Sequence, residues 1–477
     1  MKRRFLIYML PVLLLLAVTL PHLEQGDFRV ETAHYAAIGL QAWQNPALFW
    51  TPHEHPAVCY FNKPPLVLWI HGLSLHLFGI TLAAVRLPSI LAAIGCVLCT
   101  IGITRHFSGR IVALTTGCVM ALTYEFFRRS REICLDMWLL MFMLAATWIW
   151  LAATRSRNRH LSWLAGIPLG LALMCKPLMA LMLVPILFVW LFLERRDLWA
   201  NSGKRHTGRP AIVENPIRPY MSILALAMTA LVIALPWHAS MIHLYGDSFL
   251  HQYFGQEVVA RLQGHRNREP VWYYLVEIGR SYWPWMIALF AGLFRWWQGG
   301  VSRHHRHLLR LAFAWAGIWA IALTLFPDKR PRYELPLYPM MAIFAGYGIA
   351  TWSWRPLRSW YRHGLISTAL LIIVVSVTIQ FLPIRFQAPP EKDLTALVDW
   401  ARIQSPGQVF SAAITAIDES TIFLKAGYWP TPLRLASKPL KPGSLVIFSD
   451  EFKWAPPFPC KPIFNQGPYH VLEVGTP

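Results

Sequence analysis

Apolar runs of about 14 to 23 residues recur along most of the chain, separated by short polar or basic stretches, and runs of this length predict helices that cross a bilayer. Eleven such segments are expected, at about residues 5–21, 82–104, 110–126, 135–153, 161–174, 177–193, 220–237, 279–294, 309–326, 335–352 and 364–382. The fifth is short for a full crossing, which fits a tilted or partly re-entrant helix. Between the first and second segments the stretch around Trp69, His71 and His76 reads as an amphipathic juxtamembrane helix instead of a span. After Phe381 the periodicity shortens: Gln408 to Ser411 and Ser444 to Phe448 alternate as strands, and Glu391 to Ile403 has helical spacing. The expected fold is therefore an all-α polytopic membrane domain over residues 1–382, with amphipathic helices in its first outer loop. A small α/β extracytoplasmic domain follows over residues 383–477.

Composition agrees with that pattern and changes the meaning of the charge. Hydrophobic residues are 55% of 477 and charged residues only 14%, while the net charge is +20. In a soluble chain such an excess points to nucleic acid; here the basic residues gather in alternate loops, as the positive-inside bias requires. Lys2 to Arg4, Arg105 and Arg110, Arg155 to Arg159, Arg195 to Arg218, Arg295 to Arg310 and Arg355 to Arg362 thus mark the cytoplasmic side. The expected home is a membrane crossed many times, with membrane lipids and no nucleic acid as partners. The first apolar run leads into Pro21-His22-Leu23-Glu24 with no small-residue cleavage site, so it is expected to stay as a helix. Seven cysteines, most of them within or at the very ends of predicted spans, make no disulfide framework; Cys59 and Cys460 face the outer side.

That sidedness leaves an anomaly on the outer face. Asp27, Glu31 and Lys63 fall in the first loop, Arg128, Arg129, Arg131, Glu132 and Asp136 between the third and fourth spans, and Lys176, Lys329, Arg332 and Tyr333 at later span ends. Cations on the outer side run against the general bias and call for a ligand. Group transfer from a lipid phosphate builds negative charge on the departing phosphate, and fixed cations in a partly dry pocket stabilise it. A carboxylate nearby can accept a proton from an acceptor group. Each residue also has a structural reading: Lys63 and Lys176 as snorkelling lysines, Asp136 as a helix N-terminal charge, and the arginines as ion pairs with nearby glutamates.

Several blocks resemble the bacterial GT-C glycosyltransferases of the aminoarabinose-transferase and dolichyl-phosphate-mannose protein mannosyltransferase type. They are Tyr60-Phe61-Asn62-Lys63-Pro64-Pro65-Leu66 with Trp69, Leu77-Phe78-Gly79, Arg86-Leu87-Pro88-Ser89, Asp136, Lys176-Pro177, Pro236-Trp237, Pro270 to Tyr274 with Pro284-Trp285, and Lys329 to Pro339. The resemblance implies transfer of a monosaccharide from a polyprenyl-phosphate carrier, undecaprenyl phosphate in a bacterium, to lipid A, another lipopolysaccharide sugar or a protein at the periplasmic face. It implies Glu31, Asp27 and Asp136 as catalytic acids, and Lys63, Arg128, Arg131, Lys176, Lys329, Arg332 and Tyr333 as substrate-binding residues. The segment Glu31-Thr32-Ala33-His34-Tyr35 has one residue more than the family's acid-x-x-Tyr, which leaves Asp27 and Glu31 both open. Asn62 stands where the aminoarabinose branch often has a glutamate associated with metal, so a divalent metal cofactor is open as well. The alternatives are a transporter or flippase of a charged lipid, and an O-antigen-ligase-like transferase. The first needs midplane charges and a repeat, neither visible in the sequence; the second lacks the Lys-Pro-Pro signature.

Overall fold

The computed structural model describes residues 7–21, 23–24, 30–56, 58–155, 160–200, 218–259, 269–351, 392–404, 409–413, 416–432, 440–450, 456 and 459–474. The chain divides into two compact units, one of residues 1–21, 62–67 and 89–382, the other of residues 22–61, 68–88 and 383–477.

The first unit is helical. Helices run over Leu10–Thr19, Arg110–Ala121, Tyr124–Arg129, Leu135–Arg155, His160–Leu173, Pro177–Ala180, Leu183–Ala200, Arg218–Leu250, Tyr273–Ser281, Met286–Trp297, Arg303–Leu325 and Tyr338–Thr351, together with most of Leu82–Phe107. Five described helices are long and apolar enough to cross a membrane: Leu82–Phe107, Leu135–Thr154, Pro177–Arg195, Pro219–Gly255 and Arg303–Leu325. This is a multi-pass membrane chain. Shorter apolar helices occupy Ile7–Thr19, Arg110–Ala121 and His160–Leu173. The expected segment 364–382 lies outside the described residues.

Two expected spans are broken by local chemistry. The segment 110–126 ends at Ala121; the chain turns at Leu122 and Thr123 and restarts as Tyr124–Arg129, because Glu125, Arg128 and Arg129 bond one another in a separate short helix. The segment 279–294 begins only at Met286, since Pro284 ends the helix Tyr273–Ser281 in a single 3-10 turn, Trp283–Trp285. Around that break Trp272 and Trp283 are exposed, whereas Tyr274 and Trp285 are buried.

Within the unit, His160–Leu173 packs between Leu135–Arg155 and Arg218–Leu250, and Tyr338–Thr351 packs on Arg110–Ala121 and Met286–Trp297. Small residues permit these close approaches, as they do wherever helices pack without a hydrophobic driving force. A Cβ on Gly292 collides with the Phe344 carbonyl, and one on Gly348 with the Ala288 carbonyl.

The second unit joins first-loop segments to the C-terminal domain. Its helix Val30–Gln44 packs against Ala416–Ala426, and Gly39 and Gly72 bring Val30–Gln44 against Leu66–Phe78 at backbone contact. Glu24 receives the free N–H groups of Leu82 (3.2 Å) and Ala83 (3.0 Å), and buried Arg86 donates to the Leu23 carbonyl. The helix end is thereby capped by a carboxylate. A two-stranded hairpin pairs β1 (His53–His55) with β2 (Val58–Cys59). The C-terminal sheet has the order β4-β3-β5-β7-β6, from β3 (Val409–Ala413), β4 (Thr431–Pro432), β5 (Leu445–Ser449), β6 (Cys460–Gln466) and β7 (Tyr469–Val474). Parallel pairing of β3 with β4 follows the crossover helix Ala416–Ala426, β5 pairs parallel with β3 on its other side, and helix Lys392–Arg402 buries Leu397, Val398 and Ala401 with Val409, Ile447 and Val471. No disulfide joins Cys59 to Cys460.

Candidate functional site

The strongest polar convergence in the first unit is built from three breaks in its helices. Pro177 forces Lys176 into extended backbone (φ −152°, ψ 93°), so the helix His160–Leu173 stops and the lysine side chain is set apart from any helix surface. Asp136 enters in the first turn of Leu135–Arg155, where the helix dipole favours an anion. Its side chain is 3% exposed, a depth that a carboxylate tolerates only when paired. Lys176 Nζ supplies the pairing, at 2.7 Å from both Oδ1 and Oδ2, and Arg332 Nε lies 3.6 Å from Oδ2.

The third break is the 3-10 segment Pro331–Leu337, which carries Arg332 and Tyr333. Two prolines keep it from becoming α-helix. Tyr274 fixes its start: the phenol donates to the Arg330 carbonyl (3.3 Å) and accepts from the Arg330 N–H (3.2 Å). Trp319 Nε1 donates to the Tyr333 carbonyl at 2.9 Å, and the Tyr333 ring lies 4.9 Å beneath Lys176 Nζ. Two cations thus face one carboxylate in a largely dry corner. Such a corner attracts an anion.

Beside it lies a second charged group. Glu125, buried, accepts from Arg128 (2.8 and 2.7 Å) and from Arg129 Nε (2.6 Å), and Glu132 accepts from Arg129 (2.9 Å) and Arg128 (3.4 Å). Burial pushes the Glu125 carboxyl up, but the two guanidiniums outweigh it and leave it below the ordinary glutamate value. Arg128 is thus heavily committed to glutamates. Arg131 is half-buried, and desolvation draws it below the usual arginine value.

The other sequence candidates have local settings of their own. Lys63 is half-buried in the first unit, with Nζ donating to the Asn62 carbonyl at 3.0 Å. Lys329 is 3% exposed and donates to the carbonyls of Leu323 (2.6 Å), Phe326 (2.9 Å) and Thr324 (3.4 Å). It serves as a cation on the C-terminus of Arg303–Leu325, where the unsatisfied carbonyls and the dipole both favour it. Glu31 sits in the first turn of Val30–Gln44 in the second unit, and Asp27 lies outside the described residues. Among the described residues no group of three or more His, Cys, Asp or Glu could hold a metal, and Asp136 gives both oxygens to Lys176. The donor set present here does not suit a divalent ion.

Two acids escaped sequence reasoning. Glu125 stood inside a predicted span, and only its i+3 and i+4 spacing to Arg128 and Arg129 hinted at a charged helix. Glu334, in the 3-10 segment, is fully buried; its Oε1 accepts from Ser281 Oγ (3.3 Å) and from the Tyr338 hydroxyl, while Oε2 has no hydrogen-bond partner. Its one signal was being the only acid in the run from Lys329 to Pro339.

Comparison with known proteins bears on this arrangement. A family model described as dolichyl-phosphate-mannose-protein mannosyltransferase matches residues 62–213, which include Lys63, Arg128, Asp136 and Lys176. The undecaprenyl phosphate-alpha-4-amino-4-deoxy-L-arabinose arabinosyl transferase 2 of Proteus mirabilis is 25% identical over 299 residues, 61% of this chain and 50% of that protein. The corresponding transferase of Erwinia tasmaniensis is 28% identical over 300 residues, again 61% and 50%. The chain therefore matches about half the length of these curated relatives. Among solved structures, ArnT from Cupriavidus metallidurans bound to undecaprenyl phosphate superposes with a TM-score of 0.71 at 15% identity, covering 99% of this chain and 98% of that one. The oligosaccharyltransferase of Archaeoglobus fulgidus in the apo form gives 0.58 at 12% identity, over 93% and 69%. These structural likenesses concern the fold.

Proposed function

We infer, from a chain that is a GT-C-fold relative of the aminoarabinose transferases and protein mannosyltransferases, an enzyme that transfers a monosaccharide from a polyprenyl-phosphate carrier. The donor is an undecaprenyl-phosphate-linked sugar and the acceptor a lipid A or lipopolysaccharide group at the periplasmic face of the inner membrane. The observation that carries this reading is the Asp136–Lys176–Arg332 corner, where two cations converge on one buried carboxylate.

In the reaction the bond between the anomeric carbon and the carrier phosphate oxygen breaks, and the electron pair stays on the phosphate. The acceptor oxygen bonds the same carbon and gives up its proton if it carries one. Lys176 and Arg332 neutralise the phosphate charge as it grows; Lys63 and Arg131 are assigned to the same anion on sequence grounds. Asp136 holds the two cations at fixed separation, so they need not reorganise when the charge appears. The ring of Tyr333 floors the pocket under the ammonium. The first-loop acid, Glu31 or Asp27, is assigned to the acceptor side. A phosphate acceptor such as those of lipid A is already anionic and needs orientation more than a base.

Replacement of Lys176 by alanine tests the reading. Membranes holding the variant at wild-type amounts are expected to lose about 10²–10³ in sugar transfer, the usual consequence of removing one preorganised donor. Mass spectrometry of lipid A from cells with and without the active chain identifies the product. Wild-type transfer by Lys176→Ala, or unchanged lipid A and glycoproteins on deletion of the chain, rejects it.

A further inference from the structure

The end of the first unit at which Arg303–Leu325 begins carries a charge that the proposed transfer leaves unused. From Met286 to Leu325 the sequence holds four arginines and three histidines and no aspartate or glutamate. Among the described side chains on the helices packed there, Leu183–Ala200 and Tyr338–Thr351, one is acidic, Glu194. That acid is committed: its Oε2 accepts from His307 Nδ1 at 2.5 Å and from Arg310 at 3.1 Å. Arg295 and Arg306 are exposed, and each gives one N–H to a carbonyl, that of Thr351 at 3.3 Å and that of Val301 at 3.4 Å. The first turn of Arg303–Leu325 is also the positive pole of its helix and has no acid in it, so cations gather where the dipole disfavours them.

An apolar stripe leads up to these cations. Ile287, Phe290, Phe294 and Trp297 follow one another at helical spacing, so they share one face of Met286–Trp297, and all four are exposed. Trp297, 81% exposed, ends the stripe two residues beyond Arg295. Gly299 and Gly300, both left-handed (φ 76° and 71°), then turn the chain into Arg303–Leu325. The face is held in place from behind, because the Trp296 ring packs on Phe313 (5.1 Å) and Phe344 (5.7 Å). His305 fixes the next helix start, with Nδ1 3.0 Å from Ser302 Oγ and its ring 5.2 Å from that of Tyr347. Apolar side chains, then an exposed tryptophan, then arginines reproduce the profile of a phospholipid from acyl chain through boundary to phosphate. Any bilayer accounts for the stripe, whereas the acid-free cations ask for a headgroup with net negative charge.

We propose that the end of Met286–Trp297 and the start of Arg303–Leu325 form a docking surface for an anionic phospholipid, with an acyl chain on the Ile287–Trp297 stripe and the headgroup phosphate facing Arg295 and Arg306. Arginine suits this role, since its planar fork has donors left for phosphate oxygens after one N–H has gone to a carbonyl. The bound anion also offsets the positive pole of Arg303–Leu325, so the lipid stabilises the folded chain as any ligand of the native state does. The inference is independent of the transfer reading, because it concerns other residues and a lipid that is not consumed.

The test titrates the full-length chain in neutral detergent with phosphatidylglycerol or with phosphatidylcholine, and reads retained lipid by native mass spectrometry and stability by thermal melting. Phosphatidylglycerol is expected to bind about tenfold or more tightly than phosphatidylcholine and to raise the melting temperature further. Arg295→Gln and Arg306→Gln should each weaken phosphatidylglycerol binding about fivefold, the usual effect of one surface cation, and leave phosphatidylcholine binding unchanged. The paired lysine variant, Arg295→Lys with Arg306→Lys, keeps the charge and should keep most of the preference, which separates lost binding from lost folding. Arg280→Gln, which removes an exposed arginine paired with Glu277 on Tyr273–Ser281, should change nothing. Equal affinity of the wild type for the two lipids, wild-type preference in the double glutamine variant, or an equal loss in Arg280→Gln each overturns the proposal. Glycerol 3-phosphate alone stabilising the chain as much as phosphatidylglycerol overturns it as well, since the site would then hold a free anion and not a lipid.

Discussion

Lys176, half-buried, and Lys329, buried, are both cations next to a helix break, and what their ammonium groups touch separates them. Lys329 has turned its donors to the carbonyls of Leu323, Thr324 and Phe326, completing a helix end that otherwise leaves acceptors unmet. Lys176 meets side chains, the carboxylate of Asp136 and the ring of Tyr333, from which an incoming phosphate can draw it without unravelling backbone. Replacing Lys329 by methionine, which keeps the stem and removes the donors, is therefore expected to lower stability by about 1–3 kcal/mol, seen as a reduced melting temperature in detergent. Transfer per folded molecule should stay within about threefold of wild type. Lost transfer with unchanged melting would return Lys329 to the list of phosphate ligands. Sequence alone placed both lysines at the outer face, but which partner each had chosen was a matter of contacts up to 40 residues apart in the chain.

At the scale of elements, the apolar periodicity located the helices and the proline positions located their breaks. Pro177 extended Lys176, Pro284 ended Tyr273–Ser281, and Pro331 with Pro336 made the 3-10 segment that carries Arg332 and Glu334. Pairing between helices was not legible in this way, because a lipid-facing and a helix-facing leucine look alike in sequence. The glycines carry that information once the structure is known. Gly292 and Gly348 let Met286–Trp297 and Tyr338–Thr351 meet at backbone distance. Gly348→Ala should force these helices apart and lower the yield of monodisperse protein severalfold, whereas Gly317→Ala, with open space around its Cβ, should leave the yield unchanged. Equal yields from the two variants would show that this interface tolerates separation.

For the molecule as a whole, sidedness follows from the distribution of lysine and arginine. Cysteine reporters at Gln298, in the basic loop before Arg303–Leu325, and at Lys461, on β6, are expected to label oppositely with an impermeant maleimide in intact spheroplasts: Lys461→Cys labels and Gln298→Cys does not. Labelling of both from the same side contradicts the orientation. The C-terminal strands and helix were also readable, with β3, β5 and Lys392–Arg402 each within about two residues of the pattern. Their grouping with residues 22–61 and 68–88 in one compact unit was not, since no local periodicity reports an association across more than 300 residues.

The sequence by itself determined a membrane-spanning helical chain, its orientation bias, the position of its breaks and the chemical kind of its outward residues, because hydropathy, proline geometry and charge act locally. Tertiary structure decided which of those residues are partners: Asp136 with Lys176 and Arg332, Glu125 with Arg128 and Arg129, and Glu334 shut away with Ser281 and Tyr338. The reason is physical. A charge's energy in a low-dielectric interior depends on its nearest neighbours in space, and those neighbours come from segments far apart along the chain.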